Sequence, residues 1–238
     1  MKHILFALIG MIAAFTSAGA EEKHLYELRV GEFQTLDVFD NVNVEWRCLP
    51  DSAGYVVFYA EEKYADAFII TPNNKGNLKI QVATDNANLS TLPKLTVYSN
   101  YLTKVSNKGD HTVTVCSPTP CPDFNATIEG NGRLVIENLK ATTFEANIKT
   151  GNGSIVANGK CDIAECKLIG TGSIDILGLT TDVVKCKAMG TGSISCEPLE
   201  ELKVKCIGST KIYYKGKPKL IDKKGGGTLI QIKETRKN

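Results

Sequence analysis

Lysines that recur at nearly regular intervals are the residues of this chain best suited to bind a ligand. Lys167, Lys187 and Lys205 each precede a glycine by three positions, and we predict that Lys149 joins them. If the chain returned to the same place after each interval, their ammonium groups would form a column at steps of ~5 Å. Such a column could bind a regularly spaced anionic polymer, such as an acidic polysaccharide or a lipopolysaccharide core. The alternative is a solvated face, because lysine protects sheets from aggregating.

Carboxylates that could cleave a polysaccharide are sparse at the corresponding positions. Asp175 lies in the outward phase of its repeat, but Val156 and Ser195 occupy the same offset in the adjacent repeats. No acidic pair of the kind that glycosidases use therefore forms there. Glu145 and Glu165 share an offset, where nearby lysines would neutralise them. We predict no catalytic residue, with a polysaccharide-active enzyme, a lyase or a glycosidase, as the alternative.

Other catalytic and metal-binding arrangements find no support in the residue types. Ser154, Ser173 and Ser193 follow Gly-x-Gly, whereas a nucleophile elbow requires Gly-x-Ser-x-Gly between a strand and a helix. No helix N-terminus follows these glycines to hold a phosphate. The chain has only three His, and none lies near enough to the cysteine pairs to complete a zinc site. The sequence predicts neither a metal nor a cofactor.

Six of the eight cysteines in the chain fall into two kinds of position. Cys116 and Cys121 flank Ser-Pro-Thr-Pro in a loop outside the regular repeats, where a short disulfide is sterically feasible. We predict that this pair is bridged. Four others lie at inward offsets, where we predict free thiols that serve as small buried hydrophobic groups: Cys166, Cys186, Cys196 and Cys206.

A Gly-x-Gly turn that recurs about every 20 residues indicates how these side chains are positioned. Four clear copies contain the glycines Gly130 and Gly132, Gly151 and Gly153, Gly170 and Gly172, and Gly190 and Gly192. Weaker copies begin at Gly109, Gly208 and Gly226. Repeats of this length predict a solenoid in which each repeat forms one coil. We predict that the paired glycines are structural, at corners that need a positive φ.

Apolar residues at fixed offsets from each turn predict strands with one inward face. Four positions after the first glycine stand Val113, Leu134, Ile155, Ile174, Ile194, Ile212 and Ile230. Six positions after it stand Val115, Ile136, Ala157, Ile176, Cys196, Tyr214 and Ile232. Ile148 is displaced by one residue from its expected offset, which predicts a β-bulge. The sequence therefore predicts an all-β, single-stranded β-helix with a hydrophobic interior.

The part of the chain that precedes the repeats is less regular. We predict strands there at Thr35–Val44, Tyr55–Ala60, Phe68–Thr71, Leu78–Ala83 and Leu95–Tyr98. No linker of low complexity separates this part from the repeats. We therefore assign one domain over 21–238, with irregular N-terminal strands over 21–100 and regular rungs over 101–233.

The first twenty residues have the pattern of an export signal. Lys2 is followed by the apolar stretch Ile4–Phe15 and by Ala18-Gly19-Ala20, so we predict a signal peptide over 1–20, cleaved after Ala20. The apolar stretch is shorter than the roughly 20 residues that span a bilayer. The mature chain is predicted to be exported to the periplasm, the cell surface or the medium, without an integral membrane segment. The near balance of 28 basic and 26 acidic residues argues against a nucleic-acid partner.

The turns and the first strands together resemble the bacterial GIN-domain family, the head domains of auto-transporter adhesins. The resemblance rests on the Gly-Asn-Gly and Gly-Thr-Gly turns and on Val30-Gly31-Glu32-Phe33, Leu36-Asp37-Val38, Val42-Asn43-Val44-Glu45, Leu78-Lys79-Ile80 and Leu95-Thr96-Val97. It implies a right-handed single-stranded β-helix in the cell envelope or outside the cell, and it brings no catalytic motif. The sequence predicts a non-catalytic binding or adhesion module for a surface glycan or protein. A purely structural envelope protein is a further alternative, and the oligomeric state stays open.

Overall fold

The computed structural model describes residues 22–83 and 92–233, so the predicted signal peptide lies outside the described residues. Within these ranges the only helical elements are two 3-10 turns, Pro50–Ser52 and Glu62–Tyr64. No helix in the described ranges is long and apolar enough to cross a membrane. The strands are β1 Lys23–Arg29, β2 Thr35–Val38, β3 Val44–Arg47, β4 Tyr55–Glu61, β5 Phe68–Pro72, β6 Asn77–Val82, β7 Leu95–Tyr98, β8 Lys104–Asn107, β9 Thr112–Cys116, β10 Cys121–Glu129, β11 Arg133–Thr150, β12 Ser154–Gly170, β13 Ser173–Gly190, β14 Ser193–Gly208, β15 Lys211–Tyr214, β16 Leu220–Gly225 and β17 Thr228–Gln231.

The chain forms an all-β solenoid of about six turns, which confirms the predicted fold class. All seventeen strands belong to one continuous sheet. The long strands β11 to β14 each bend through a corner, and each pairs in parallel with the next along both of its segments. Because parallel strands lie ~4.8 Å apart, equivalent residues of successive rungs stand directly above one another.

The inward residues form columns that fill the interior of the solenoid. The strand register stacks one such column from Val113, Leu134, Ile155, Ile174, Ile194 and Ile212. All six side chains are buried. A second inward column contains Phe124, Phe144 and Ala164. The first column confirms the inward offset predicted four positions after each turn glycine, whereas the second column was not predicted.

The last rung differs from the predicted register by one residue. Ile212 pairs with Leu229 and Tyr214 pairs with Gln231, so neither Ile230 nor Ile232 continues the inward columns. The cause is a shorter last turn, because Lys224 and Leu229 are five positions apart whereas their partners Lys205 and Ile212 are seven positions apart. A Cβ at Gly226 would lie 2.7 Å from the carbonyl oxygen of Gly208, so Gly226 stacks on Gly208 and the turn begins at the predicted glycine.

The N-terminal rungs are not stacked in the order of the chain. Strand β2 lies between β6 and β8, and β3 lies between β7 and β9. The predicted strand Thr35–Val44 is in fact two strands, separated by a bend at Asp40, whose φ is +61°. Antiparallel strands cover this end of the solenoid: β4 pairs with β1 and β7, and β5 pairs with β6. The sequence pattern did not identify β1.

The two glycines of each turn have different structural roles. The first has a positive φ in three of the four clear copies, for example 138° at Gly190. The second, contrary to the prediction for Gly172 and Gly192, does not have a positive φ. It is required instead by close packing, because a Cβ at Gly192 would overlap the carbonyl oxygen of Gly172 in the rung below.

Most differences in rung length among β11 to β14 are absorbed at the other corner. Phe144 follows Ile136 by eight positions, whereas Leu202 follows Cys196 by only six, although the register treats these as equivalent pairs. The register shifts between β11 and β12, between β12 and β13 and between β13 and β14 all fall within this corner. The strand segments on either side therefore keep the same inward and outward phase.

Candidate binding face

Four lysines stand in register on consecutive strands of the solenoid. Lys167 pairs with Lys187, Lys187 with Lys205, and Lys205 with Lys224 of the last rung. We call these four residues the lysine column. The first three were predicted from the sequence, but Lys224 was not, because the offset three positions before Gly226 falls on Lys223 and the register of β16 is shifted by one residue.

Lys149 does not belong to the lysine column, contrary to the prediction. The register aligns Asn147 with Lys167 and Ile128 with Ile148, and then pairs Glu129 with Thr150. Lys149 is thus the extra residue of a β-bulge, which confirms the displacement predicted next to Ile148. Its ammonium group is 2.7 Å from a carboxylate oxygen of Glu129, in an ion pair away from the column.

A second outward column, two residues earlier on the same strands, mixes both signs of charge. It contains Glu145, Glu165, Lys185, Lys203 and Asp222 in register. Lys185 donates a hydrogen bond of 2.9 Å to Glu165. Each member has an ion pair, but only Glu165 and Lys185 pair with each other. The others pair with residues outside this column: Glu145 with Lys167, Lys203 with Glu201, and Asp222 with Lys224.

Ionic partners reach the two ends of the lysine column but not its centre. Lys167 lies 3.2 Å from a carboxylate oxygen of Glu145, and Lys224 lies 3.5 Å from one of Asp222. Lys187 and Lys205 have no ion pair with any residue that the structure describes. The centre of the column is therefore a pair of stacked positive charges without a carboxylate in contact.

The pKa of the Glu165 carboxyl group, beside the lysine column, is affected by the neighbouring lysines. The hydrogen bond from Lys185 holds the pKa of the Glu165 carboxyl below its usual value, and the charges of Lys167 and Lys187 act in the same direction. A lowered pKa means that the folded state favours the ionised form. This carboxylate therefore contributes stability at neutral pH, and the contribution is lost as the pH falls through the lowered pKa.

An apolar ladder runs along the other side of the lysine column. Ile169 pairs with Met189, and Met189 pairs with Ile207. Their side chains are 50%, 52% and 60% exposed. These residues were not predicted from the sequence, although a signal was present: each one directly precedes the first glycine of a turn.

The positions considered for an enzyme do not assemble a catalytic group. Asp175 stands between Val156 and Ser195 in register, as the sequence indicated. Glu145 and Glu165 do stack, but each has a lysine partner. Among the described residues, no group of His, Cys, Asp and Glu side chains has the arrangement of a metal site.

The predicted disulfide is not formed in the structure, where Cys116 and Cys121 are both free thiols. Cys116 ends β9 opposite Glu137, whereas Cys121 begins β10 opposite Ala141. The two thiols are thus held by separate strand pairings on either side of a corner. The inward cysteines are buried, and contacts of Cys186 with its neighbouring thiols raise its pKa well above the usual value.

Alkylation of the folded protein without reductant is expected to follow this difference in exposure. Cys116 and Cys121 are half-buried, so they should be labelled well before Cys186, whose burial and raised pKa both suppress the reactive thiolate. Peptide mapping by mass spectrometry measures the order of labelling. A peptide that joins Cys116 to Cys121 would contradict the structure.

Comparison with known proteins agrees with the architecture. Residues 32–218 match the family described as "Putative auto-transporter adhesin, head GIN domain". The chain belongs to the GIN-domain family. This confirms the family that the turns and first strands resemble, and the matched range includes β2 to β15 and most of the lysine column.

Solved structures with the same fold come from species of Bacteroides and Parabacteroides. A "putative adhesin" of Bacteroides fragilis is 22% identical to this GIN domain with a TM-score of 0.75, over 90% of this chain and 98% of that one. A "putative lipid binding protein" of Parabacteroides distasonis is 19% identical with a TM-score of 0.65, over 90% and 95%. A "putative adhesin" of Parabacteroides merdae is 19% identical with a TM-score of 0.64, over 90% and 98%. At these identities the likeness shows the fold alone, and no curated protein matches the sequence.

Proposed function

We propose that this GIN domain is an exported, non-catalytic binding module that recognises an anionic surface polymer through the lysine column. The observation that carries the proposal is the register of Lys167, Lys187, Lys205 and Lys224 on four consecutive strands. The ladder of paired strands holds the backbones of these four residues at steps of ~4.8 Å. A polymer with closely spaced acidic groups could contact several of them at once.

The electrostatics of the column favour an anionic ligand. Two ammonium groups at ~5 Å repel by about 1 kcal/mol even in water. Lys187 and Lys205 are stacked without a carboxylate in contact, whereas every charged residue of the neighbouring column has an ion pair. A bound polyanion would relieve the repulsion, which gives the ligand a direct source of binding free energy.

The names of the structural relatives are compatible with a binding role. Two of them are called adhesins and one is called a lipid binding protein. None of these names specifies an enzyme. They support a binding module in general terms, and the identity of the ligand rests on the surface of this chain.

The triple variant K167Q/K187Q/K205Q is expected to lose retention on a column of immobilised acidic polysaccharide at low salt. Wild-type protein should be retained and should elute steeply as salt rises, because screening shortens the range of each contact. Glutamine keeps most of the length of the stem and removes the charge. The measurement is the salt concentration at elution, together with the melting temperature to verify the fold.

The control for this experiment removes the same total charge elsewhere. Lys140, Lys160 and Lys211 are exposed and lie outside the lysine column, so K140Q/K160Q/K211Q should elute close to the wild type. Equal elution of the two triple variants would show that net charge alone governs retention. That result, or no retention of the wild type at low salt, would remove the proposed site.

A further inference from the structure

The apolar ladder is a continuous exposed surface and not a set of scattered side chains. Ile169, Met189 and Ile207 stand on three neighbouring strands in direct register, and each is at least half exposed. Single exposed apolar residues are ordinary on protein surfaces, but contiguous apolar surface bordered by polar residues is typical of an interaction site. We therefore expect that a binding partner covers the ladder.

The ladder and the lysine column form one amphipathic surface. Lys187 and Met189 are two residues apart on β13, as are Lys205 and Ile207 on β14, so both members of each pair point to the same side of the sheet. Alternate residues of a strand are ~7 Å apart. A row of ammonium groups therefore runs parallel to a row of aliphatic side chains, and the rigid backbone fixes the distance between the rows.

Candidate binding partners differ in how well they match both the charged row and the apolar row of this surface. A second copy of the chain packed on it face to face would bring two lysine columns together, which like charges oppose. An acidic polysaccharide alone would neutralise the lysines but leave the aliphatic row in water. A bilayer with anionic headgroups offers phosphates to the ammonium groups and an apolar boundary to the aliphatic row, at the small separation that the two rows have.

We infer that this amphipathic surface docks the protein onto a lipid bilayer that carries anionic phospholipids. Lys187 and Lys205 contact headgroup phosphates, and Ile169, Met189 and Ile207 enter the boundary between headgroups and acyl chains. The inference rests on the proposed function in one respect, since both use the lysine column. It adds that the ligand is amphiphilic, and that the apolar ladder decides between a lipid surface and a purely polar polymer.

Both parts of the surface are needed for this mode of attachment. Shallow apolar insertion and electrostatic attraction are each weak and reversible, and stable attachment to a membrane generally takes two such signals. Basic residues close to an anionic leaflet are attracted only within about a Debye length. Removing either part should therefore abolish most of the binding, but the two removals should differ in their effect on polymer binding.

The experiment compares co-sedimentation with vesicles of phosphatidylcholine alone and vesicles that also contain phosphatidylglycerol. Wild type should bind the anionic vesicles and not the neutral ones. The variant I169T/M189T/I207T should bind them at least about tenfold more weakly, because the inserted aliphatic groups are lost. Threonine suits strands, so the solenoid should be retained. The same variant should keep its retention on the acidic polysaccharide, which depends on the lysines.

A matched control removes three exposed aliphatic side chains from other places. Leu49, Ile69 and Leu199 are 47%, 44% and 49% exposed, so L49T/I69T/L199T should bind anionic vesicles as the wild type does. The variant K167Q/K187Q/K205Q should lose binding both to anionic vesicles and to the polysaccharide. Melting temperatures close to that of the wild type identify the variants that keep the fold.

The outcomes separate this inference from the proposed function. Wild-type binding to the polysaccharide but not to anionic vesicles would overturn the lipid surface and leave the polymer site standing. Equal vesicle binding by the ladder variant and the wild type, or equal binding of neutral and anionic vesicles, would also overturn it. If the wild type were a dimer in solution and the variant I169T/M189T/I207T a monomer, the partner of the ladder would be a second copy of the chain, and the inference of a lipid surface would be overturned too. Failure of the wild type to bind either ligand would remove both proposals.

Discussion

Gly192→Ala is expected to lower the free energy of unfolding by about 2–3 kcal/mol, as overpacking of a close contact does. The added methyl group would overlap the carbonyl oxygen of Gly172 in the rung below, and it would lie 2.9 Å from Cδ2 of Leu168. The backbone cannot retreat here, because Ser193 donates its amide hydrogen to that same carbonyl across the rungs. Chemical denaturation followed by circular dichroism measures the loss.

Gly130→Ala is the matched control for this substitution. Gly130 is the first glycine of an equivalent turn, it lacks a positive φ, and the nearest atom to its added Cβ is the Gly109 oxygen at 3.2 Å. A shift of a few tenths of an ångström accommodates that contact, so the loss should stay below about 1 kcal/mol. Equal unfolding free energies for the two variants would show that the stacked turns tolerate a side chain at either glycine.

Phe144→Ala is expected to cost about 3–5 kcal/mol, the range for removal of a buried aromatic ring. Phe144 is fully buried and lies 6.4 Å from the ring of Phe124, measured between centroids. Its other neighbour in the inward column is Ala164, and Ala146 is the next inward residue along β11. Because these alanines are small, neither can fill the cavity, and the rigid ladder on both sides prevents collapse.

Ile169→Ala tests whether burial causes that loss. Ile169 lies in the same solenoid but is half exposed, so its truncation should change the unfolding free energy by no more than about 0.5 kcal/mol. Thermal and chemical denaturation of both variants measure the difference. A loss of stability for Phe144→Ala as small as for Ile169→Ala would mean that the interior repacks around the cavity.

Local patterns were sufficient to predict the regular rungs. The period of two along each strand and the period of about 20 between turns together specify which residues point inward. They also specify which residues stack, so the sequence alone places Lys167, Lys187 and Lys205 in one column. The displaced offset of Ile148 likewise predicts the bulge.

Long-range order could not be predicted in the same way. Strand β2 lies between β6 and β8, and this arrangement depends on pairings about 40 and 70 residues apart, for which the sequence carries no local signal. The last turn is two residues shorter than the one before it, as the pairings of Lys205 with Lys224 and of Ile212 with Leu229 show, and the sequence pattern does not reveal this. The position of Lys224 in the lysine column depends on that shortening.

The candidate site was predicted in part for a related reason. The lysine column could be predicted because a charged residue that recurs at the same offset of a repeat is easily recognised in the sequence. Ile169, Met189 and Ile207 share an offset just as regular, but apolar residues in a strand are usually interior, so exposure was needed to identify them. Lys149 was misplaced because a bulge changes which residue faces outward, and the sequence shows the displacement but not its direction.

The corner that absorbs most differences in rung length makes the candidate binding face tolerant of insertions and deletions. A residue gained or lost between Ile176 and Val183 changes only the loop of chain around that corner, where the register already shifts. The same change between Val183 and Met189 would turn every later side chain of the strand to the opposite face, so that lysines would point into the interior. Coil length and surface chemistry can therefore diverge independently: descendants of this sequence could alter the outward residues one rung at a time while the interior stays the same.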